Sequence, residues 1–242
     1  MKNIAAVALA CLTALAIALT VSHAYLNRNR ISDVITVTGL AQKDFEADLI
    51  VWSGTFAAKD LVLKNAFQRL KEDRKRVEAF LAKQGIATDE FVFTSIDINK
   101  EFDSSYDKIR GQTTTFTGYR LTQQVSIESD VVAEIEKLAR DITELINDGV
   151  EMYSEPPRYY YTKLGALKLE MLSLATANAK IRAEKIVENS GGKLGKLKHA
   201  RLGVFQIVAQ NSSESYTWSG AYNTTAKNKT GAVTVKLEYA LE

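Results

Sequence analysis

Cysteine, histidine and proline are nearly missing from this chain of 242 residues. The one cysteine, Cys11, lies inside an apolar run near the start, so the rest of the chain is neither a disulfide scaffold nor a cysteine-ligated metal site. His23 flanks the same run, which leaves His199 as the one histidine of the body. A Ser-His-Asp triad would have to use it. It stands in "KLGKLKHAR" at an expected strand start, with no sharp nucleophile turn beside it, and reads as a surface residue. The two prolines are adjacent, Pro156 and Pro157. An excess of one charge is missing too. Lys2, Arg28 and Arg30 are the charged residues of the first thirty, and they leave 28 basic against 29 acidic residues beyond. A nucleic-acid binder carries a basic surplus, so no nucleic-acid partner is expected.

One long hydrophobic run is present, "IAAVALACLTALAIALTV" at residues 4–21. As a helix it would rise about 27 Å, close to the ~30 Å hydrocarbon core, and extension to Leu26 would span it. Ser22 and Ala24 are small residues placed for cleavage after Ala24, as in a secretory signal. The run exceeds the usual h-region of about 7–15 residues, which favours an uncleaved signal-anchor. Residues 1–30 are therefore expected to be a signal-anchor or signal peptide with a short linker. Residues 31–242 are expected to be a body outside the cytoplasm, held in the inner membrane by residues 4–26 unless cleaved after Ala24.

Along the body, residues 33–42 and 45–60 alternate as two strands. The second carries Ile50, Trp52, Gly54 and Phe56 on one face and is apolar on part of the other, as a central strand is. Asp60 is placed to cap a helix to about Gln84 with a stripe of Leu63, Phe67, Leu70, Val77 and Leu81, stopped by Gly85. Residues 91–103 and 113–129 read as an antiparallel pair joined by a polar loop. In the second of these, Tyr119, Leu121, Gln123, Val125 and Ile127 point inward. A second helix begins at Asp130 with Val131, Ile135, Leu138, Ile142 and Leu145. A third, about 164–190, carries Leu167, Met171, Leu174 and Ile181. Strands 199–209 and 232–241 close the chain around a Ser/Asn/Thr-rich loop. The order predicts α+β, with antiparallel sheet packed by three long helices and preceded by the N-terminal hydrophobic helix.

Several motifs fail on inspection. Residues 97–108 place Asp97, Asn99, Glu101 and Asp103 at calcium-loop spacing, but Phe102 stands where glycine is required and Lys108 where glutamate is. "NSGGKLGK" lacks the phosphate-loop pattern, and its glycines close a helix instead of opening one. Lys193, Lys196, Lys198, His199 and Arg201 form a basic cluster, read as a solvated turn with weak contact to anionic lipid or cell-wall polymer as the other reading. Asn211, Asn223 and Asn228 head N-x-[ST] triplets in the polar loop and mark it as exposed. No catalytic residue, cofactor or metal is assigned.

The stretch "SEPPRYYYTK" at 154–163 is the candidate interface or ligand platform, through Arg158, Tyr159, Tyr160 and Tyr161. Its prolines exclude a central strand or helix interior. If extended, Tyr159 and Tyr161 share a face and Tyr160 takes the other. Three readings are open: an edge strand whose rings cover the sheet, a contact with another subunit, and a small-molecule platform.

"ITVTGLAQKDFEADLIVWSGTF", "TGYRLTQQVSI", "LINDGV", the stretch from "PPRYYYTK" through "SGGKLG", and "GAVTVKLEYAL" follow one another in an order and spacing that resemble the SIMPL-domain family. That family comprises bacterial extracytoplasmic proteins, including periplasmic immunogenic proteins. The resemblance covers about residues 33–242. It implies an α+β envelope protein that self-associates and is linked to stress defence, and it carries over no catalytic residue. The expected function is that of a non-enzymatic envelope protein forming a homo-oligomer, with the inner membrane as partner. The alternatives are a binding module for a small aromatic or cell-wall ligand at Arg158, Tyr159 and Tyr161, and a carboxylate hydrolase on Glu46 and Asp48.

Overall fold

The computed structural model describes residues 12–23, 25, 34–107 and 111–242. Helix α1 covers residues 12–23. The strands are β1 (Val34–Glu46), β2 (Leu49–Asp60), β3 (Phe91–Phe93), β4 (Asp97–Asp107), β5 (Gly111–Ser129), β6 (Glu151–Ser154), β7 (Arg158–Tyr160), β8 (Leu194–Leu202), β9 (Gln206–Ala209) and β10 (Asn228–Leu241). The further helices are α2 (Leu63–Lys83), α3 (Val132–Asp141), a 3-10 helix (Ile142–Asp148) and α4 (Leu164–Asn189). The α+β class with antiparallel sheets is as expected, but the middle helix is short and ends in the 3-10 turn. No helix among the described residues is long and apolar enough to cross a membrane. Of the expected anchor 4–26, residues 4–11, 24 and 26 lie outside the described residues.

The chain divides into two compact units. The larger takes Ala41–Ser173 and Val204–Val233, and its main sheet has β2 at the centre. On one side β2 pairs with β5 from Ile50↔Ser129 to Asp60↔Tyr119, and β5 in turn carries β3 and β4. On its other side β2 pairs with β6 and then β7. Ile50, Trp52 and Phe56 are fully buried from one face, as alternation predicts, against Ala66, Leu70, Val77 and Leu81 of α2 and Ile135 and Leu138 of α3. Gly54 keeps that face open for the indole. A Cβ there would lie 2.6 Å from Trp52 Cη2 and 2.4 Å from Met152 Cε.

Three details depart from expectation. Asp60 Oδ1 accepts the Val62 amide at 2.9 Å, so it caps the preceding turn, and Val62 itself is the extended residue that enters α2. Leu63 and Phe67 stay exposed while Ala66 and Asp73 complete the buried stripe. The expected strand 91–103 breaks at residues 94–96, where the buried Gln123 Nε2 donates to the Thr94 carbonyl at 2.7 Å. Gly85 ends α2 as expected, at φ +88°, where a side chain would be strained.

The smaller unit takes the chain up to Leu40, Leu174–Gly203 and Thr234–Glu242. Its sheet runs β1-β10-β8. Val37, Val235, Leu237 and Tyr239 are buried on one face, together with Ala175, Ala179, Ala183 and Val187 of α4. Alanines four residues apart leave a narrow ridge, which lets the helix backbone close onto β1 at Gly39. A Cβ on Gly39 would lie 2.1 Å from the Ala175 carbonyl oxygen and 2.7 Å from Ala179 Cβ. Of the expected stripe, Leu167 and Met171 are buried but Leu174 and Ile181 are not. Both are about half exposed, because side chains of that width do not fit so close an approach. Asn178 Oδ1 accepts the Leu40 amide at 3.2 Å and Arg182 donates to the Thr38 carbonyl at 3.3 Å, tying helix to strand. Gly39→Ala is expected to cost about 1–3 kcal/mol by overpacking, read as a lower urea midpoint at unchanged slope.

Candidate functional site

The proline-tyrosine segment forms an edge strand of the larger unit, interrupted where the prolines remove two donors. Its ladder on β2 runs through Gly54↔Ser154, the Glu155 amide to the Ser53 carbonyl at 3.0 Å, and Ile50↔Tyr159. Trp52 Nε1 donates to Ser154 Oγ at 3.0 Å, and Ser154 Oγ donates to the Ala139 carbonyl at 2.6 Å, which fixes the segment to α3.

The three tyrosines are half-buried and each is engaged within the unit. The Tyr159 hydroxyl donates to Glu136 Oε1 at 3.0 Å. Burial, and then this bond to a carboxylate, raises its pKa above that of a free tyrosine. The Tyr161 ring meets Phe45 at 4.8 Å, and Tyr160 lies 6.5 Å from Tyr222. Arg158 is exposed. The two acids considered for hydrolysis are held apart by different partners. Asp48 accepts the Thr162 amide at 2.6 Å and its hydroxyl at 2.8 Å, whereas Glu46 pairs with Lys227 at 3.0 Å.

Beside this strand lies a groove of about 410 Å³, walled by Pro156 and Pro157, with Ser154, Tyr159, Glu136 and Arg140 around it. Glu136 is occupied by Tyr159 and lies 3.6 Å from Lys227. Arg140 is exposed and makes no ion pair among the described residues. The groove therefore offers a rigid apolar wall and an available guanidinium, the elements that hold a small carboxylate. No group of three or more His, Cys, Asp or Glu among the described residues is arranged to hold a metal ion.

Two buried charges escaped the sequence reading. Lys229 is fully buried, and its ammonium donates to the Asn223 carbonyl at 2.5 Å and the Ala226 carbonyl at 2.6 Å. Burial lowers its pKa, with Glu214 opposing. It anchors the polar loop before β10, whose Asn223 donates to Glu214 and accepts the Ala226 amide at 2.9 Å. Asn211 and Asn228 are exposed as expected, but Asn223 is half-buried in this net. Extending the alternation of Leu237, Val235, Val233 and Gly231 back two residues puts Lys229 in the inward row. Asp73 sits likewise on the buried stripe of α2, three residues after Leu70 and four before Val77. Burial raises its pKa, and Arg76 at 2.8 Å opposes the shift.

Two discontinuous units, each an antiparallel sheet faced by helix, make an α+β chain whose larger unit carries the engaged tyrosines and the groove beside them. The chain belongs to the SIMPL family, described as a protein of unknown function (DUF541), which it matches over residues 35–239. No curated protein matches it significantly.

Lys229→Met is expected to leave two carbonyls without donors, to cost about 1–3 kcal/mol, and to speed amide exchange in residues 223–226. The pH dependence gives a second reading. Unfolded, Lys229 holds its proton up to the ordinary value of 10.5, and folded it releases it at lower pH. Between those values the unfolded state binds more protons, so stability rises with pH there. That rise should be present in urea titrations of the native chain and missing in the Met variant.

Proposed function

We propose that the protein is a non-enzymatic component of the cell envelope, exported and tethered by its N-terminal apolar segment, that assembles with copies of itself. Export and tethering are supported by the uncharged run 4–21, and a link to stress defence by family likeness alone. Self-association is supported by one observation. Among the described residues, 111–118 of β5 pair with β4 alone, so the two continue past β2 as a ribbon. Phe102 lies opposite Phe116, with ring centres 5.6 Å apart, and Tyr106 lies opposite Gln112 four pairs further on, on the same face. Phe102 is 56% and Tyr106 77% exposed. A two-stranded ribbon is marginal alone in water, and an aromatic face on it calls for cover. The tyrosines of 159–161 are a weaker support, since they already have partners within the unit.

Light scattering after size exclusion of the full chain in mild detergent tests this. Two rings buried at an interface contribute about 1.5–3 kcal/mol each. Replacing Phe102 and Phe116 by Ser should therefore weaken association by about two powers of ten or more, with the unfolding midpoint of the core unchanged. Equal sizes for both proteins would remove the reading.

The second reading, a binding module for a small aromatic or cell-wall ligand, is supported by the available Arg140 beside the proline wall. Benzoate is a suitable probe. It should shift the NMR signals around Tyr159 in the native chain and not in Arg140→Gln; no shift in either speaks against this reading.

A further inference from the structure

We infer that the open face of the smaller unit's sheet, along β8 and β10, is a docking surface for an anionic phospholipid bilayer. The inference rests on the tethered reading proposed above. Within this unit α4 covers the face that carries Val235, Leu237 and Tyr239, and the alternate residues of β10 look the other way. There the register sets Arg201 opposite Lys236 and His199 opposite Glu238. Side chains of directly opposed residues share a face, and two like charges so placed oppose strand pairing. Both Arg201 and Lys236 are exposed, and neither has an ion-pair partner among the described residues. Lys193, Lys196 and Lys198 add three exposed cations to the same run, also without ion pairs. The expected solvated turn is instead a strand of 9 residues.

Lysines along an edge strand commonly guard it against pairing with another chain. That accounts for β8, which is an edge. It leaves Lys236 unexplained, because β10 lies between β1 and β8 and has no free edge at that point. The body as a whole is nearly neutral, so five cations along β8 and the facing stretch of β10 are a local excess, with Glu238 the acid in the same row. Spread over about 30 Å of strand, they match a plane of negative charge better than a single compact anion. The bilayer is also close. Residues 27–33 reach at most about 25 Å even when fully extended, and they lead directly into β1 of this same sheet.

The test is amine labelling read by mass spectrometry on the full chain in lipid nanodiscs, of phosphatidylcholine alone or mixed with phosphatidylglycerol. In the anionic discs the labelling rates of Lys196, Lys198 and Lys236 should fall about fivefold, and salt should restore them. Lys71 and Lys75 on α2 should not change. Arg201→Glu with Lys236→Glu should abolish the protection at Lys196 and Lys198, with circular dichroism confirming that the variant is folded. Equal rates in both discs would overturn the docking surface. If the chain does not stay with either disc, the tether has failed separately. Labelling with free vesicles of the same two compositions then decides: protection by the anionic vesicles upholds the surface, and none overturns it.

Discussion

In the larger unit the ladder of β2 has partners on both edges, and every other strand of its main sheet is registered against it directly or through β5. The register also aims Trp52 and Phe56 into the layer beneath α2 and α3, where each contributes about 1.5–3 kcal/mol on burial. One residue of slippage would turn that row to solvent and bring Ser53 and Thr55 inward. The Trp52–Ser154–Ala139 chain of hydrogen bonds resists such a slip, because the indole N–H has a partner in one register only.

The same constraint explains the proline pair. A β2 with a partner already on one edge needs a second along most of its length, and a continuous strand from 151 to 160 would supply it. The prolines interrupt that strand without leaving the edge, since Glu155 still donates to Ser53 before them and β7 resumes after them. The bend they impose forms the wall of the groove beside Arg140. Rigidity there comes from covalent restriction of φ and not from packing.

Alternation made most strands legible, and Gln123 and Trp52 stood in the inward rows where the fold places them. Breaks were less visible. Nothing in "FVFTSIDIN" announces that the chain leaves the sheet at Thr94, because the cause is a side-chain bond from a residue nearly thirty positions later. Helix stripes were misread where the partner surface is narrow. Leu174 and Ile181 outrank alanine in hydrophobicity, yet Gly39 admits only Ala175 and Ala179. The edge strand at 158–160 was legible from its prolines, but Glu136 and Arg140 were not, since they come from a helix remote in sequence and meet it only through the register of β2. Lys229 was missed because a lysine reads as solvated until the inward row is counted back to it.

Three elements, β1, α4 and β10, are each divided between the two units, and the smaller unit is assembled from three separate stretches of chain. Its middle strand is β10, whereas one outer strand is β1. During synthesis the first strand of this sheet therefore emerges long before the strand that will hold it. Until β10 is made, β1 has no hydrogen-bonding neighbour in the sheet, and the alanine ridge of α4 has only part of its surface to close on. Such distant pairing slows folding and lengthens the time an apolar edge stays open. A chain that stops before residue 234 lacks the part of β10 that pairs with β8, so this sheet closes only after that late stretch has been made.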